Sequence, residues 1–333
     1  MKLLPVLLIA AGAVVMAALV IHFGADAVGA ALLAVGFAGF AAVTGIHMAL
    51  IAVMGIAWGW LIPGVRPWVA IWGRFVRDSG SEVLPLSQVG GYVLGTRAVA
   101  LAGVSATQGA ASTIVDVTLE FVSQLAYVAL GLVWLVHINA DSGVSPLLVV
   151  LGLVGASCLA AAFITVQRRG VRLVDRIAVI LGQGWAAKTA AGAATLHRAL
   201  DDIYSRRGGI WLSFLTHFAC WIASASEVWI ALRFAGQSLS FGDAIVIESL
   251  VYAIRSTAFI VPNSMGVQEG AYILLGGAFG LSPEMALALS FIKRARDLAI
   301  GLPTIALWQA IEGGRIWRRV AVKVPPAPLP DGE

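Results

Sequence analysis

The chain has 333 residues, 59% hydrophobic and only 12% charged, with a mean hydropathy of +0.90. A soluble domain carries about twice that charged fraction, so a soluble globular fold is excluded and an all-α integral membrane protein with several spans is expected. The net charge of +4 is small and its basic residues gather in two places, which reads as membrane topology and excludes a basic nucleic-acid module.

The first apolar run is Leu3–Ile21. It is long for a signal-peptide core and suits a span; cleavage near Ala25–Ala27 is the alternative. His22–Gly36 lacks Lys and Arg and reads as a short loop. Phe37–Leu61 is the next span, closed by Trp58, Trp60 and Pro63, and the tryptophans suit an interfacial belt. Gly64–Ala106 is mixed: Arg66, Arg74, Arg77, Asp78, Glu82 and Arg97 alternate with apolar runs, and Pro85, Gly90 and Gly91 interrupt it. Its apolar pieces are about 10 residues each, too short to span and suited to re-entrant helices. Thr107–His137 reads as a long helix and Ser145–Val166 as a span.

Gln167–Arg207 is the one extended polar region, with Arg168, Arg169, Arg172, Arg176, Lys188, Arg198, Arg206 and Arg207. Its Ala-rich middle predicts an amphipathic helix along the membrane surface. Gly209–Leu232 spans again. Phe241–Gly280 is apolar at both ends but carries Arg255, Pro262, Asn263, Gly266, Gln268, Glu269 and Gly270 between them. Backbone that breaks at membrane depth persists only inside protein or beside a water-filled cavity. Pro283–Ile311 is the last span, followed by Arg315, Arg318, Arg319 and Lys323 and a Pro-rich tail, 324–333, expected to be disordered.

The positive-inside rule places 167–207 and the tail in the cytoplasm, and counting spans places both termini there. Two repeats of opposite orientation follow within a single transmembrane domain, 1–333: residues 37–137 and 209–311, each a span, a broken segment and a span. The breaks rhyme. Arg77 precedes Pro85, then Gln88, Gly90 and Gly91; Arg255 precedes Pro262, then Gly266, Gln268 and Gly270. Inverted repeats with interrupted helices are a transporter pattern, with the site near the midplane where the repeats meet.

Thr113, Asp116, Glu120 and Gln124 share one helix face. Asp116 and Glu120 lie roughly 14–20 Å along their helix at 1.5 Å per residue. Lys293, Arg294, Arg296 and Asp297 sit at a matching depth in the last span, and Lys293 with Asp297 forms an i,i+4 pair. The structural reading is mutual neutralisation that sets helix register. The functional reading is a hydrated cavity. In it Arg77, Arg255 and the Lys293–Arg296 group hold a polar or anionic headgroup, and Asp116 and Glu120 hold hydroxyls, amines or a coupling proton. Asp78, Gln88, Asn263, Gln268 and Glu269 complete the candidate substrate-binding set. Glu227 and Glu248 read as pairing or rim groups and His217 as a packed core histidine. No metal-ligand cluster, phosphate-cradling loop or nucleophile with a sequence-evident base is present, so no cofactor and no catalytic residue are expected.

Phe75-Val-Arg-Asp-Ser, Leu84-Pro-Leu-Ser-Gln-Val-Gly-Gly, Ser112-Thr-Ile-Val-Asp-Val-Thr-Leu-Glu, Val261-Pro-Asn-Ser-Met-Gly-Val-Gln-Glu-Gly and Ser290-Phe-Ile-Lys-Arg-Ala-Arg-Asp resemble the hopanoid-biosynthesis-associated membrane proteins. That family is similar in turn to the transmembrane, flippase-like region of lysylphosphatidylglycerol synthases. The resemblance covers most of the chain. It implies a bacterial inner-membrane protein that moves hopanoids or a related polar lipid, with membrane lipids and hopanoid-biosynthesis proteins as partners and no aminoacyl transfer. In the first segment the pattern leads to an acidic residue after the glycine pair; Tyr92 stands there, so a less acidic pocket is expected on that side. Two other classes remain: a non-catalytic scaffold for hopanoid-making enzymes, docking through 167–207, and an intramembrane enzyme that modifies the lipid headgroup.

Overall fold

The computed structural model of the chain describes residues 14–83, 87–138, 155, 183–258 and 261–321. Among them the regular structure is helical: α1 Val14–Phe23, then α2 Ala25–Gly59, α3 Pro67–Val83, α4 Ser87–Leu101, α5 Ala106–Ile138, α6 Gln183–Ser205, α7 Arg207–Phe234, α8 Phe241–Thr257, α9 Val267–Ala278 and α10 Pro283–Ala321. Three of these, α2, α5 and α7, are long and apolar enough to cross a membrane by themselves. The protein is therefore a helical, multi-pass membrane protein. The other helices are shorter or carry too much charge to qualify alone, and the bundle shields their polar faces.

Several boundaries differ from the sequence expectation. Residues 25–35 are helical and not a loop, because Ala, Leu and Val favour helix there. The interruption narrows to Gly36, whose φ of 67° and ψ of 177° kink α2. The last helix runs to Ala321, past the Ile311 boundary, with Pro303 inside it. Trp58 is not interfacial: it is fully buried and donates from Nε1 to Ser112 Oγ at 3.1 Å. Trp60, Trp68, Trp134 and Trp211 are exposed. Pro85, the 145–166 span apart from Gly155, the 167–182 part of the basic region and the 324–333 tail lie outside the described residues.

α3 and α4 form an antiparallel pair built on small residues. A Cβ at Gly95 would stand 2.7 Å from Arg77 Cβ and 3.0 Å from the Gly73 carbonyl oxygen. Only a hydrogen at those positions lets the two backbones approach this closely. α2 lies along α7 and against α3. α5 packs on α7 and α8, while α10 packs on α2 and α3. One apolar core joins α2, α7, α8, α9 and α10 through Val43, Val228, Ile247, Tyr272 and Leu289. A second joins α2 to α3, α4, α5 and α6 through Trp58, Val69, Val99, Val115 and Ile203. Leu200 and Ile203 of α6 enter that core, so the apolar face of the surface helix is docked on the bundle while His197 and Asp201 stay exposed.

Candidate functional site

Two clusters of ionisable side chains lie inside the bundle. The first is set by spacing on α3. Arg74, Arg77 and Asp78 fall on one side of that helix and face Asp116 and Glu120 of α5, which are likewise one turn apart. Arg77 donates to Asp116 Oδ2 at 2.6 Å and to Asp78 Oδ1 at 3.2 Å, and it also donates to Glu120. Arg74 donates to Asp78 Oδ2 at 2.7 Å, to Glu120 Oε1 at 2.5 Å and to Asp116 Oδ2 at 3.3 Å. His217 of α7 places Nε2 2.9 Å from Asp116 Oδ1. The guanidinium of Arg77 also lies 5.4 Å from the Tyr92 ring centroid, so the aromatic ring supplies a π face where the resemblance leads to an acid.

The second cluster joins α7, α8 and α10. Lys293 donates to Glu248 and lies 3.7 Å from Glu227. Arg296 donates to Glu227 and, at 2.7 Å, to Asp297. Tyr272 of α9 donates to Glu248. His47 of α2 places Nδ1 2.8 Å from Glu227 Oε1 and Nε2 3.9 Å from Asp297 Oδ1. The expected Lys293–Asp297 pair is therefore not made: carboxylates of α7 and α8 take Lys293, and Asp297 turns to Arg296 and His47. Nor does the acidic pair Asp116/Glu120 meet the cations of α10: Arg74 and Arg77 of α3 take both carboxylates.

The break before α9 is held by a third set. Asn263 and Ser264 have φ of 49° and 47° and Gly266 has 81°, a run of left-handed backbone. For the two non-glycine residues this conformation is strained, and surrounding contacts must hold it. Arg294 supplies them, donating to the carbonyl oxygens of Asn263 at 3.1 Å and Ser264 at 3.5 Å and to Glu269 Oε1 at 2.7 Å. Glu269 Oε2 accepts the Gly266 N–H at 2.8 Å and its Oε1 accepts the Ser290 hydroxyl at 2.8 Å. Gln268 donates to Ser290 Oγ at 2.7 Å. Glu269 and Arg294 thus satisfy each other and the backbone of the break, and Gln268 joins them through Ser290.

The end of α3 meets the break before α9. Glu82, in the last turn of α3, lies 3.9 Å from Arg255 near the end of α8, and Asn263 donates from Nδ2 to the Glu82 carbonyl oxygen at 3.4 Å. Glu82 and Arg255 keep 29% and 16% of their side-chain surface open, unlike the sealed Asp116 and Glu248. Of the other expected residues, Gln88, Gly90 and Gly91 begin α4. Gly270 is an exposed position of α9.

Sequence reasoning did not single out Arg74, His47, Glu82, Tyr272 or Ser290. Arg74 had a signal, since it precedes Arg77 and Asp78 at three- and four-residue spacing. A lone histidine within a long apolar helix is also a flag. Tyr272 and Ser290 had none, because their partners are distant in sequence. Among the described residues no group of His, Cys, Asp and Glu is arranged to hold a metal ion.

One family description matches the chain, the lysylphosphatidylglycerol synthase TM region, over residues 3–303. No curated protein and no solved structure gives a match. The match covers the whole of the helical bundle from α1 through the charged turns of α10. By that match, the chain belongs to the lysylphosphatidylglycerol synthase transmembrane-region family, a membrane-embedded family with a lipid-related role.

Proposed function

We propose that the protein is a lipid transporter of the bacterial inner membrane that moves a hopanoid or another polar lipid across or out of that membrane. The observation that carries this reading is the meeting of the end of α3 with the break before α9, at Glu82, Arg255 and Asn263. A half-open polar seam at membrane depth is what a lipid headgroup needs in order to leave water without losing all of its hydrogen bonds.

The packing supports a two-repeat arrangement. α5 lies on α7 and α8, and α10 lies on α2 and α3, so the last helix of each half crosses onto the first two helices of the other. Transporters built from inverted repeats place their site at such a junction and work by rocking one repeat against the other. The termini then face the cytoplasm, where the Arg-rich 167–207 region and the residues after Ile311 also belong. Arg255 and Glu82 touch the headgroup. The Arg74/Arg77 and Lys293/Arg296 clusters hold the walls, and Gln268, Glu269 and Arg294 shape the second break. The lipid's hydrocarbon part stays against lipid-facing helices. The reading assigns the protein no covalent chemistry.

The test has two arms. Lipid profiles of separated inner and outer membranes are compared with and without the gene; hopanoids or another polar lipid are expected to accumulate in the inner membrane when it is absent. Purified protein in vesicles is then expected to carry a fluorescent polar lipid between leaflets, and Arg255→Ala, expressed and folded, to slow it at least tenfold, as loss of a charged contact worth about 1.4 kcal/mol requires. Unchanged lipid profiles together with unchanged transport in that variant would sink the proposal.

A further inference from the structure

Each internal cluster holds one carboxylate more than it holds fixed cations, and each is completed by one histidine. In the first, Arg74 and Arg77 face Asp78, Asp116 and Glu120, with His217 on Asp116. In the second, Lys293 and Arg296 face Glu227, Glu248 and Asp297, with His47 on Glu227 and Asp297. The two imidazoles differ in what surrounds their second nitrogen. His217 is sealed, and its Nδ1 has no hydrogen-bond partner among the described residues. His47 has a carboxylate oxygen on each side, at 2.8 Å from Nδ1 and 3.9 Å from Nε2, and 24% of its side chain is open. A neutral ring can serve Glu227 through Nδ1, but only the imidazolium adds a positive charge that attracts Asp297 as well.

The charged groups around His47 come from every element packed on α2. α7 contributes Glu227, and α10 contributes Asp297, Arg296 and Lys293. Glu82 of α3 lies 3.9 Å from Arg255 of α8. The remaining α3 charges, Arg74, Arg77 and Asp78, are engaged with Asp116 and Glu120 of α5. Glu248 of α8 is engaged with Lys293. His47 therefore stands where the first half of the chain meets α7 and α10, beside the seam at Glu82 and Arg255.

We propose that His47 is a proton-binding site, and that its loading clasps α2 to α7 and α10 and couples proton movement to lipid passage. One proton goes onto the ring and no electrons move. The protonated ring bridges Glu227 and Asp297. The neutral ring leaves one of them facing surplus negative charge, which loosens the contact between the halves. The coupling rests on the transport reading; proton binding at His47 does not.

The test uses the full-length protein in lipid vesicles. Ring-nitrogen NMR of labelled histidine is followed across about pH 5 to 8, the range in which histidines change charge. The resonance that is absent from His47→Gln is expected to titrate and to change its response in Glu227→Gln and in Asp297→Asn. If His47→Gln does not fold, those two variants carry the assignment. Lipid movement under an imposed pH gradient is expected to vary by up to about tenfold per pH unit, to lose that dependence in His47→Gln, and to keep it in His197→Gln, an exposed control. A His47 resonance that does not titrate, or one indifferent to both carboxylate variants, overturns the proton site. A titrating His47 with lipid movement blind to the gradient overturns the coupling and leaves the transport reading standing. Wild-type protein that moves no lipid at any gradient overturns transport and coupling together, and the NMR arm still decides the proton site.

Discussion

Truncating Arg77 tests whether the charges inside the bundle hold it together. Arg77 is 1% exposed and its guanidinium reaches Asp116, Glu120 and Asp78 at once. In Arg77→Ala these three carboxylates share Arg74, which keeps 3.3 Å to Asp116 and 2.5 Å to Glu120. Breaking a buried ion pair from one side costs about 3–5 kcal/mol, because the surviving charges remain buried. Loss of the Tyr92 contact adds about 0.5–2 kcal/mol. Arg77→Lys keeps the charge but not the planar fork that serves several acceptors, so its cost is about 1–3 kcal/mol. The double variant Arg77→Ala/Asp116→Ala removes one charge of each sign and should cost less than the sum of its parts by about 1–3 kcal/mol. Reversible unfolding by SDS in mixed micelles measures the wild type, Arg77→Ala, Asp116→Ala, the double variant and Arg77→Lys. A cost below about 1 kcal/mol for Arg77→Ala, or strict additivity in the cycle, would refute the cluster as the element that fixes α3 against α5.

Three further outcomes are expected. Gly55→Ala sets a Cβ 2.6 Å from Ile71 Cα and should destabilise by about 1–3 kcal/mol through overpacking. Gly45→Ala on the same helix has nothing within 4 Å and should be neutral or stabilising by up to about 1 kcal/mol; equal melting of the two variants would contradict the α2–α3 approach. Glu269→Ala removes the partner of Arg294 and the cap of Gly266, so limited proteolysis should cut the 258–267 stretch faster, and an unchanged digest would count against the stitched break. Reversing Arg255 to Glu should change stability by under about 1 kcal/mol, the range of a partly open pair, yet lower lipid movement. Adding Glu82→Arg should restore movement in part, and no rescue by the swap would show that the pair does not act as a unit.

Two of the long apolar runs gave their helices almost to the residue. Thr107–His137 differs by a residue at each end from α5, and Gly209–Leu232 by two from α7. The face carrying Asp116 and Glu120 was also legible, since period and spacing set it locally. The 22–36 segment was misjudged because a lack of charge suggests a loop, while its Ala and Leu content lets helix continue up to Gly36. Trp58 was misjudged because tryptophan at a span end fits an interface and a buried corner equally well, and only the neighbouring Ser112 decides.

Composition alone established a helical membrane protein, and Pro262 and Gly266 marked one place where its helices break, whereas Gly90, Gly91 and Gly270 lie within helices. These are properties of single segments, governed by hydropathy and local backbone preference. Which charge meets which was decided by tertiary structure alone. Asp116 and Glu120 are held by Arg74 and Arg77 within the first half, and Lys293 is drawn to Glu227 and Glu248 instead of its own neighbour Asp297. A buried charge settles on the partner that helix packing brings nearest in a low-dielectric interior, and that distance is written in the crossing of helices far apart in the chain.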